Sequence, residues 1–241
     1  MLFASYLLGS ALAAVAAASP IAQPELDKRQ VPVGTIIYGC TVPNTIALTF
    51  DDGPFAYTDQ VISALGAAGM RATFFLNGQN WGSIYDYQST VQRMINEGHQ
   101  VGSHTWSHPD LATLSPGDVT YQMNELDNAL YSIIGKAPTY MRPPYFSVSA
   151  ENLQTLGSLG FKVIHSDVDT LDWANTGSPQ VAIDNFNNGV NGGGRLVLAH
   201  DVHASTANTV VPAMISSIQS RGLQAVTVGE CLGDSSANWY K

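Results

Sequence analysis

The feature that most constrains the fold is a repeated alternation of short apolar segments with longer segments of helical spacing. Seven short runs rich in β-branched and aromatic residues are bounded by Gly, Pro, Asp or Asn, as is typical of strands. These predicted strands cover residues 45–50, 72–76, 100–104, 139–143, 162–168, 195–200 and 225–228. The predicted helices between them cover residues 58–69, 89–98, 115–135, 149–160, 178–190 and 205–222, the last starting near Pro212.

This alternation predicts an α/β fold, because strands that alternate with crossover helices form a parallel sheet covered by helices. Seven strand units in roughly 210 residues favour a distorted, incomplete (β/α)7-type barrel over a complete eight-fold one. In such folds the active site lies at the C-terminal ends of the strands. Polar residues at those ends are therefore the first candidates for function.

Composition excludes several function classes. The 241 residues are 45% hydrophobic and only 12% charged, which argues against a disordered chain. The formal net charge is −9 and no cluster of Lys or Arg occurs, so we expect no nucleic-acid partner. Neither a G-x-G-x-x-G nor a G-x-x-x-x-G-K sequence is present, and a nucleotide cofactor has no support.

The N-terminal region predicts secretion. Residues 1–18 are interpreted as a signal peptide, because an apolar stretch from Leu2 ends in small residues. An uncleaved anchor or a buried helix is the alternative. Residues 19–29 are interpreted as a propeptide ending in the dibasic pair Lys28-Arg29, with an ordinary solvated charge pair as the alternative. The catalytic domain would then cover residues 30–241 of a monomer that is extracellular or in the cell wall, with no membrane contact after processing.

The chain has two cysteines, Cys40 and Cys231, near the two ends of the expected domain. In an oxidising compartment an even pair is most simply one disulfide, and two buried thiols are the alternative. Closing so long a loop would stabilise the fold by roughly 3–5 kcal/mol in a loop-entropy account.

Chemically competent side chains recur where the predicted strands end. They are Asp51, Asp52, His104, Arg142, Asp167, Asp169, Asp172, His200 and Asp201. Because the C-terminal ends of parallel strands meet at one rim, we expect these side chains to converge. A set of polar side chains that all lie at one rim is difficult to explain by a need for solubility alone.

The sharpest local pattern is the pair His104 and His108. On a helical turn this spacing would place both imidazoles on one face, able to share a metal with a carboxylate from Asp51-Asp52. Such a His₂-carboxylate site suits zinc, but iron(II) oxygenases use a similar triad and the ligand types alone leave both open. The second aspartate could act as general base and His200 as general acid, which together describe hydrolysis.

Five ordered motifs together resemble a known family. They are TFDDGP (49–54), H-T-x-x-H-P (104–109), R-P-P-Y (142–145), D-x-x-D-W (169–173) and L-x-L-x-H-D (196–201). Their order and strand-end placement are similar to those of the polysaccharide deacetylases, carbohydrate esterase family four. The expected signal and dibasic site make the chain most similar to the secreted fungal chitin deacetylases of that family.

The resemblance implies a role for each matching residue at the metal. Asp51 would be the catalytic base, with Arg142 paired to it. The metal would be held by Asp52, His104 and His108, and it would be zinc, with cobalt, nickel or manganese as possible substitutes.

The resemblance implies further roles around the substrate. The backbone N–H of Tyr145 would stabilise the oxyanion, and Trp173 and Leu198 would wall the acetyl pocket. Asp172 would orient His200 and raise its pKa, so that His200 is protonated and can act as general acid.

The implied activity is metal-dependent hydrolysis of the N-acetyl groups of N-acetylglucosamine in chitin or chitin oligosaccharides, giving acetate and chitosan. The same chemistry on acetylated xylan or peptidoglycan stays open, as does an inactive secreted carbohydrate-binding protein. Aromatic residues Trp81, Tyr85 and Tyr87 could stack on sugars or simply pack. His203 has a possible substrate contact, whereas His165 is interpreted as structural.

Overall fold

The computed structural model describes Met1 and residues 31–241. Apart from Met1, the expected signal peptide (1–18) and propeptide (19–29) lie outside the described residues. None of the helices in the described part of the chain is both long and apolar enough to cross a bilayer.

The core of the molecule is a nine-stranded sheet in which every paired neighbour runs parallel. Its strands are β1 (Ile36–Ile37), β2 (Thr45–Asp51), β3 (Thr73–Leu76), β4 (Gln100–Ser103), β5 (Tyr140–Met141), β6 (Lys162–Ile164), β7 (Val168–Asp169), β8 (Leu196–His200) and β9 (Gln224–Val226). The order along the sheet is β1-β6-β5-β4-β3-β2-β8-β7. The ninth strand, β9, pairs with the first half of β2, and β3 pairs with its second half.

Helices cover the sheet, as the alternation predicts. They are α1 (Thr58–Ala67), α2 (Gln88–Asn96), α3 (Pro116–Ile134), α4 (Ala150–Ser158), α5 (Pro179–Asn191), α6 (Val211–Ser220) and α7 (Val228–Cys231). The two ends of helix α3 could be predicted because the residues that stabilise them are close in sequence. The Ser115 hydroxyl accepts a hydrogen bond from the backbone N–H of Asp118, Pro116 occupies the first turn, and Gly135 ends the helix in the left-handed conformation. Helix α6 continues from a π-helical turn, Thr206–Val210.

The sheet curls into an incomplete barrel. Only residues 165–167 connect β6 to β7, yet β6 lies next to β1 at one end of the strand order and β7 forms the other end. So short a connection requires the two ends of the curled sheet to face each other. The predicted distorted barrel is therefore confirmed.

The prediction of one strand over residues 162–168 is wrong. The chain crosses the open seam after β6 and pairs with β8 instead. Asp167 explains the break, because its Oδ1 accepts hydrogen bonds from the backbone N–H groups of Arg195 and Leu196 at the start of β8. Asp167 thus lies at the N-terminal end of β7, away from the rim where the sequence pattern placed it.

The expected disulfide is present between Cys40 and Cys231. It links the segment after β1 to the last residue of α7, across 191 residues of sequence. Cys231 is fully buried in an apolar cluster with Val228 and Trp239, so the bridge is part of the core.

Candidate active site

A cleft of about 370 Å³ opens at the C-terminal ends of the strands. It is lined by Asp51, Asp52, His104, His108, Pro143, Tyr145, Phe146, Asp169, Trp173, Leu198 and His200. Five of the nine side chains that were expected to converge at the rim therefore line one cleft, whereas Asp167 does not.

Asp51, the last residue of β2, is almost fully buried beside Arg142. Its Oδ1 accepts a hydrogen bond of 2.8 Å from Nη1 of Arg142, whose side chain has no exposed surface. Arg142 also donates to the Thr49 hydroxyl and, over 2.7 Å, to the backbone carbonyl of His165. The guanidinium is therefore fixed by several acceptors, and it holds one oxygen of Asp51 in place.

Asp52, His104 and His108 form a group that could hold a metal ion, because one ligand atom from each lies within 4.8 Å of the others. The helical turn expected for His104 and His108 is absent. They belong to an irregular loop after β4, in which Thr105 and His108 have φ values of 73° and 58°. These two left-handed residues bend the chain enough to bring the imidazoles together, with ring centroids 4.9 Å apart.

The hydrogen bonds around this group fit a cation. Nδ1 of His104 lies 2.7 Å from the backbone carbonyl of Arg142, to which it donates, so Nε2 keeps its lone pair for a metal. Nδ1 of His108 lies 3.2 Å from the Tyr145 hydroxyl. Oδ1 of Asp52 is buried and has no hydrogen-bond partner among the described residues, although Nε2 of His108 is 3.2 Å away. A buried carboxylate oxygen facing two imidazole nitrogens is a ligand set that zinc accepts.

The electrostatics keep Asp52 ionised. Burial acts to raise the pKa of Asp52, but the imidazoles of His108, His104 and His200 act more strongly in the opposite direction. The pKa of Asp52 therefore lies below its ordinary value, and the carboxylate is available as a ligand.

At the end of β8, His200 pairs in register with Asp51 of β2, and its side chain contacts the buried Asp172. Nδ1 of His200 lies 2.8 Å from Oδ1 of Asp172. The other carboxylate oxygen accepts from the His200 backbone N–H and from the Thr206 hydroxyl, each at 2.7 Å. Asp172 begins a short helical turn after β7.

The pKa of His200 is raised to about 9. Burial alone would lower it, but the hydrogen bond and charge of Asp172, with smaller contributions from Asp51 and Asp52, more than offset that effect. The pKa of Asp172 is lowered, because its bonds to His200 and Thr206 outweigh its burial. The pair is therefore an imidazolium beside a carboxylate at neutral pH.

Tyr145, Trp173 and Leu198 all line the cleft, as the resemblance implied. Leu198 in β8 is 4% exposed, whereas Trp173 is about half exposed and Tyr145 is 69% exposed. Tyr145 has a φ of 57°, a left-handed backbone conformation, in the loop after β5. Its backbone N–H donates to no acceptor within residues 31–241.

Sequence reasoning missed several residues around the site. Thr49 and Thr206 hold Arg142 and Asp172 through their hydroxyls, and hydroxyl residues in strands and turns are too common to be recognised from sequence. Phe146 lines the cleft and directly follows the R-P-P-Y motif. Its position next to that motif could have identified it from the sequence. His203 and Trp81, which were named from the sequence as possible substrate contacts, pack edge to face with ring centroids 5.4 Å apart.

Comparison with known proteins gives one consistent result. The family model described as polysaccharide deacetylase matches residues 38–164, more than half of the chain. A chitin deacetylase of Pestalotiopsis sp is 58% identical over 98% of this chain and 78% of its own length. A probable peptidoglycan-N-acetylglucosamine deacetylase of Arthroderma benhamiae is 45% identical over 90% of this chain and 51% of its own length.

The solved structure of the chitin deacetylase from Colletotrichum lindemuthianum superposes with a TM-score of 0.85. The alignment covers 88% of this chain and 97% of that one, at 45% identity. This likeness extends over the curled parallel sheet and its helices.

Proposed function

The chain belongs to the polysaccharide deacetylase family, and on this basis we propose that it hydrolyses the N-acetyl groups of N-acetylglucosamine in chitin or chitin oligosaccharides. The products are acetate and glucosamine units, so that the polymer becomes chitosan. The observation that carries the proposal is the cleft itself, in which Asp51 and the Asp52-His104-His108 group face the His200-Asp172 pair.

The geometry supports distinct roles for the two aspartates of the TFDDGP motif. Asp52, His104 and His108 would hold the metal, which we propose to be zinc, with cobalt, nickel or manganese as substitutes. When bound, the metal would polarise the acetamide carbonyl and acidify water. Asp51 would accept a proton from the attacking water, because Arg142 engages only one of its two oxygens and leaves the other toward the cleft.

On the leaving-group side, His200 would supply the proton. Its Nδ1 is engaged by Asp172, which leaves Nε2 for the leaving amine. Because the pKa of His200 is raised to about 9, the imidazolium is populated at neutral pH. The unused backbone N–H of Tyr145 would donate to the developing oxyanion. Trp173 and Leu198 would enclose the acetyl methyl group.

Chitin is favoured over other acetylated polymers by relatedness. A fungal relative named chitin deacetylase is 58% identical to this chain, whereas relatives named peptidoglycan deacetylase are 45% identical in Arthroderma benhamiae and 36% identical in Listeria monocytogenes. The same catalytic groups would serve on acetylated xylan or peptidoglycan, which remain the alternative substrates. A carbohydrate-binding protein without activity is the alternative of another class.

We further propose secretion as a monomer, with cleavage after Arg29 giving Gln30 as the mature N-terminus. The Cys40–Cys231 disulfide supports an oxidising compartment. Mass spectrometry of the protein secreted by a fungal host tests the processing, since a mature chain that starts elsewhere contradicts it.

Acetate release from chitin oligomers tests the activity. We expect release by zinc-loaded protein and none after chelation, with restoration when zinc is added back. Asp51→Asn should abolish release and keep zinc binding, as measured by calorimetry, because Asp51 is not in the ligand group. Acetate release from acetylated xylan or peptidoglycan but not from chitin would show that chitin is not the substrate. No acetate release from any of the three polymers would refute the enzymatic function.

A further inference from the structure

Three aromatic rings form a stack that leads out of the cleft. Phe146 lines the cleft, and its ring stacks on His165 with centroids 3.8 Å apart and planes inclined by 15°. His165 in turn contacts Tyr38, with centroids 4.8 Å apart. We call Phe146, His165 and Tyr38 the aromatic stack.

The fold places this stack along the rim. Tyr38 directly follows β1, His165 directly follows β6, and Phe146 lies in the loop after β5. These three strands are neighbours in the sheet, and they run parallel. Because Phe146 lines the cleft and contacts His165, the end of β6 lies beside the cleft, next to the seam that faces β7.

Packing alone does not account for the stack. Tyr38 is 57% exposed at its outer end, and neither Phe146 nor His165 is fully buried. The hydrolytic mechanism uses none of the three side chains. His165 contributes to the site through its backbone carbonyl, which accepts from Arg142, so its ring is not required for that bond.

Aromatic rings at the edge of a cleft suit one class of ligand here, the apolar faces of sugar rings. We propose that the aromatic stack is an additional carbohydrate-binding surface, which contacts a sugar of the chitin chain beyond the one that is deacetylated. This inference rests on the proposed function. The affinity for chitin oligomers should then depend on their length, because only a long oligomer reaches Tyr38, the member of the aromatic stack farthest from the cleft.

The test compares Tyr38→Ala with the parent protein on chitin oligomers of increasing length. For long oligomers we expect a rise in KM of about threefold to tenfold, which corresponds to the loss of one aromatic contact, with little change in kcat. The shortest oligomer that is turned over should show no such change, because its chain ends before Tyr38. Tyr38→Trp keeps an aromatic face and should retain parental values.

A matched control is Tyr131→Ala, which removes another exposed tyrosine, on α3 and outside the cleft lining. It should leave KM unchanged at every length. Calorimetry with a long oligomer and Asp51→Asn protein, with and without Tyr38→Ala, measures binding independently of turnover and should show the same loss of affinity.

The outcomes separate the two proposals. If the parent releases acetate but Tyr38→Ala raises KM equally for short and long oligomers, or for neither, the aromatic stack does not bind sugar. If the parent releases no acetate from any oligomer, the proposed function fails, and calorimetry still decides whether the stack binds chitin. Loss of affinity in Tyr131→Ala as well would also overturn the assignment, since it would show that any exposed tyrosine has this effect.

Discussion

Replacing Asp172 by Asn should lower the pH above which the activity declines. In the parent protein the pKa of His200 is raised to about 9 from an ordinary 6.5, against the opposing effect of its burial. The difference of about 2.5 pH units corresponds to about 3 kcal/mol in favour of the protonated imidazole. Asp172 supplies the largest favourable contributions, through a hydrogen bond of 2.8 Å and its charge. Without that carboxylate, burial should return the pKa of His200 to 6.5 or below.

The expected loss of activity is therefore dependent on pH. A general acid must be protonated, so kcat/KM of the parent should decline only as the pH rises through about 9. In Asp172→Asn the decline should occur at about 6.5 or lower. At pH 7.5 about one-tenth of the variant would carry the proton, which predicts a loss of about tenfold or more from protonation alone. Below pH 6, where His200 becomes largely protonated in both proteins, the loss of activity that is due to protonation should become smaller.

The assay is the pH profile of kcat/KM for acetate release from a chitin oligomer, at constant zinc. Asp169→Asn is the matched control, because Asp169 also lines the cleft but accepts its hydrogen bond from the Leu171 backbone rather than from His200. The pH above which the activity of Asp169→Asn declines should shift far less. An Asp172→Asn profile that still falls near pH 9, or a loss that is equal at every pH, would refute the assignment of His200 as an acid tuned by Asp172.

Three further changes test other parts of the structure. Asp52→Asn should abolish tight zinc binding in calorimetry while the metal-free protein stays folded, and undiminished affinity would remove Asp52 from the ligand group. Cys231→Ser should lower the free energy of unfolding by up to about 5 kcal/mol, measured by denaturant titration, and an unchanged midpoint would contradict a stabilising disulfide. Asp201→Asn should raise the thermal stability of the metal-free protein above pH 7 but not below about pH 4. Burial and the charge of Asp52 raise the pKa of Asp201 to about 7, so ionisation destabilises the folded state; the same gain at both pH values would contradict this.

The sequence predicted the parts of this fold that depend on local pattern. Helix α3 was identified because Ser115, Pro116 and Gly135 mark its ends by short-range chemistry. The convergence of Asp51, His104 and His200 followed from their places at strand ends, since parallel strands share one rim.

What the sequence could not supply depends on contacts between distant segments. The break between β6 and β7 is stabilised by Asp167 bonding to the start of β8, some 28 residues later. The loop that brings His108 to His104 uses left-handed backbone at two non-glycine residues, which no local propensity indicates. The contact between the rings of Tyr38 and His165 likewise joins two segments that are far apart in the chain but follow paired strands.

The disulfide between Cys40 and Cys231 has a consequence for how the molecule withstands proteolysis. The covalent circle that it closes runs through every residue assigned to the metal, the base and the acid, from Asp51 to His200. A single proteolytic cut in any loop within this circle opens the ring without dividing the molecule, and both pieces stay attached until a reductant acts. The curled sheet can then hold the cut ends in place, so a nicked molecule keeps its catalytic groups within one covalently connected particle.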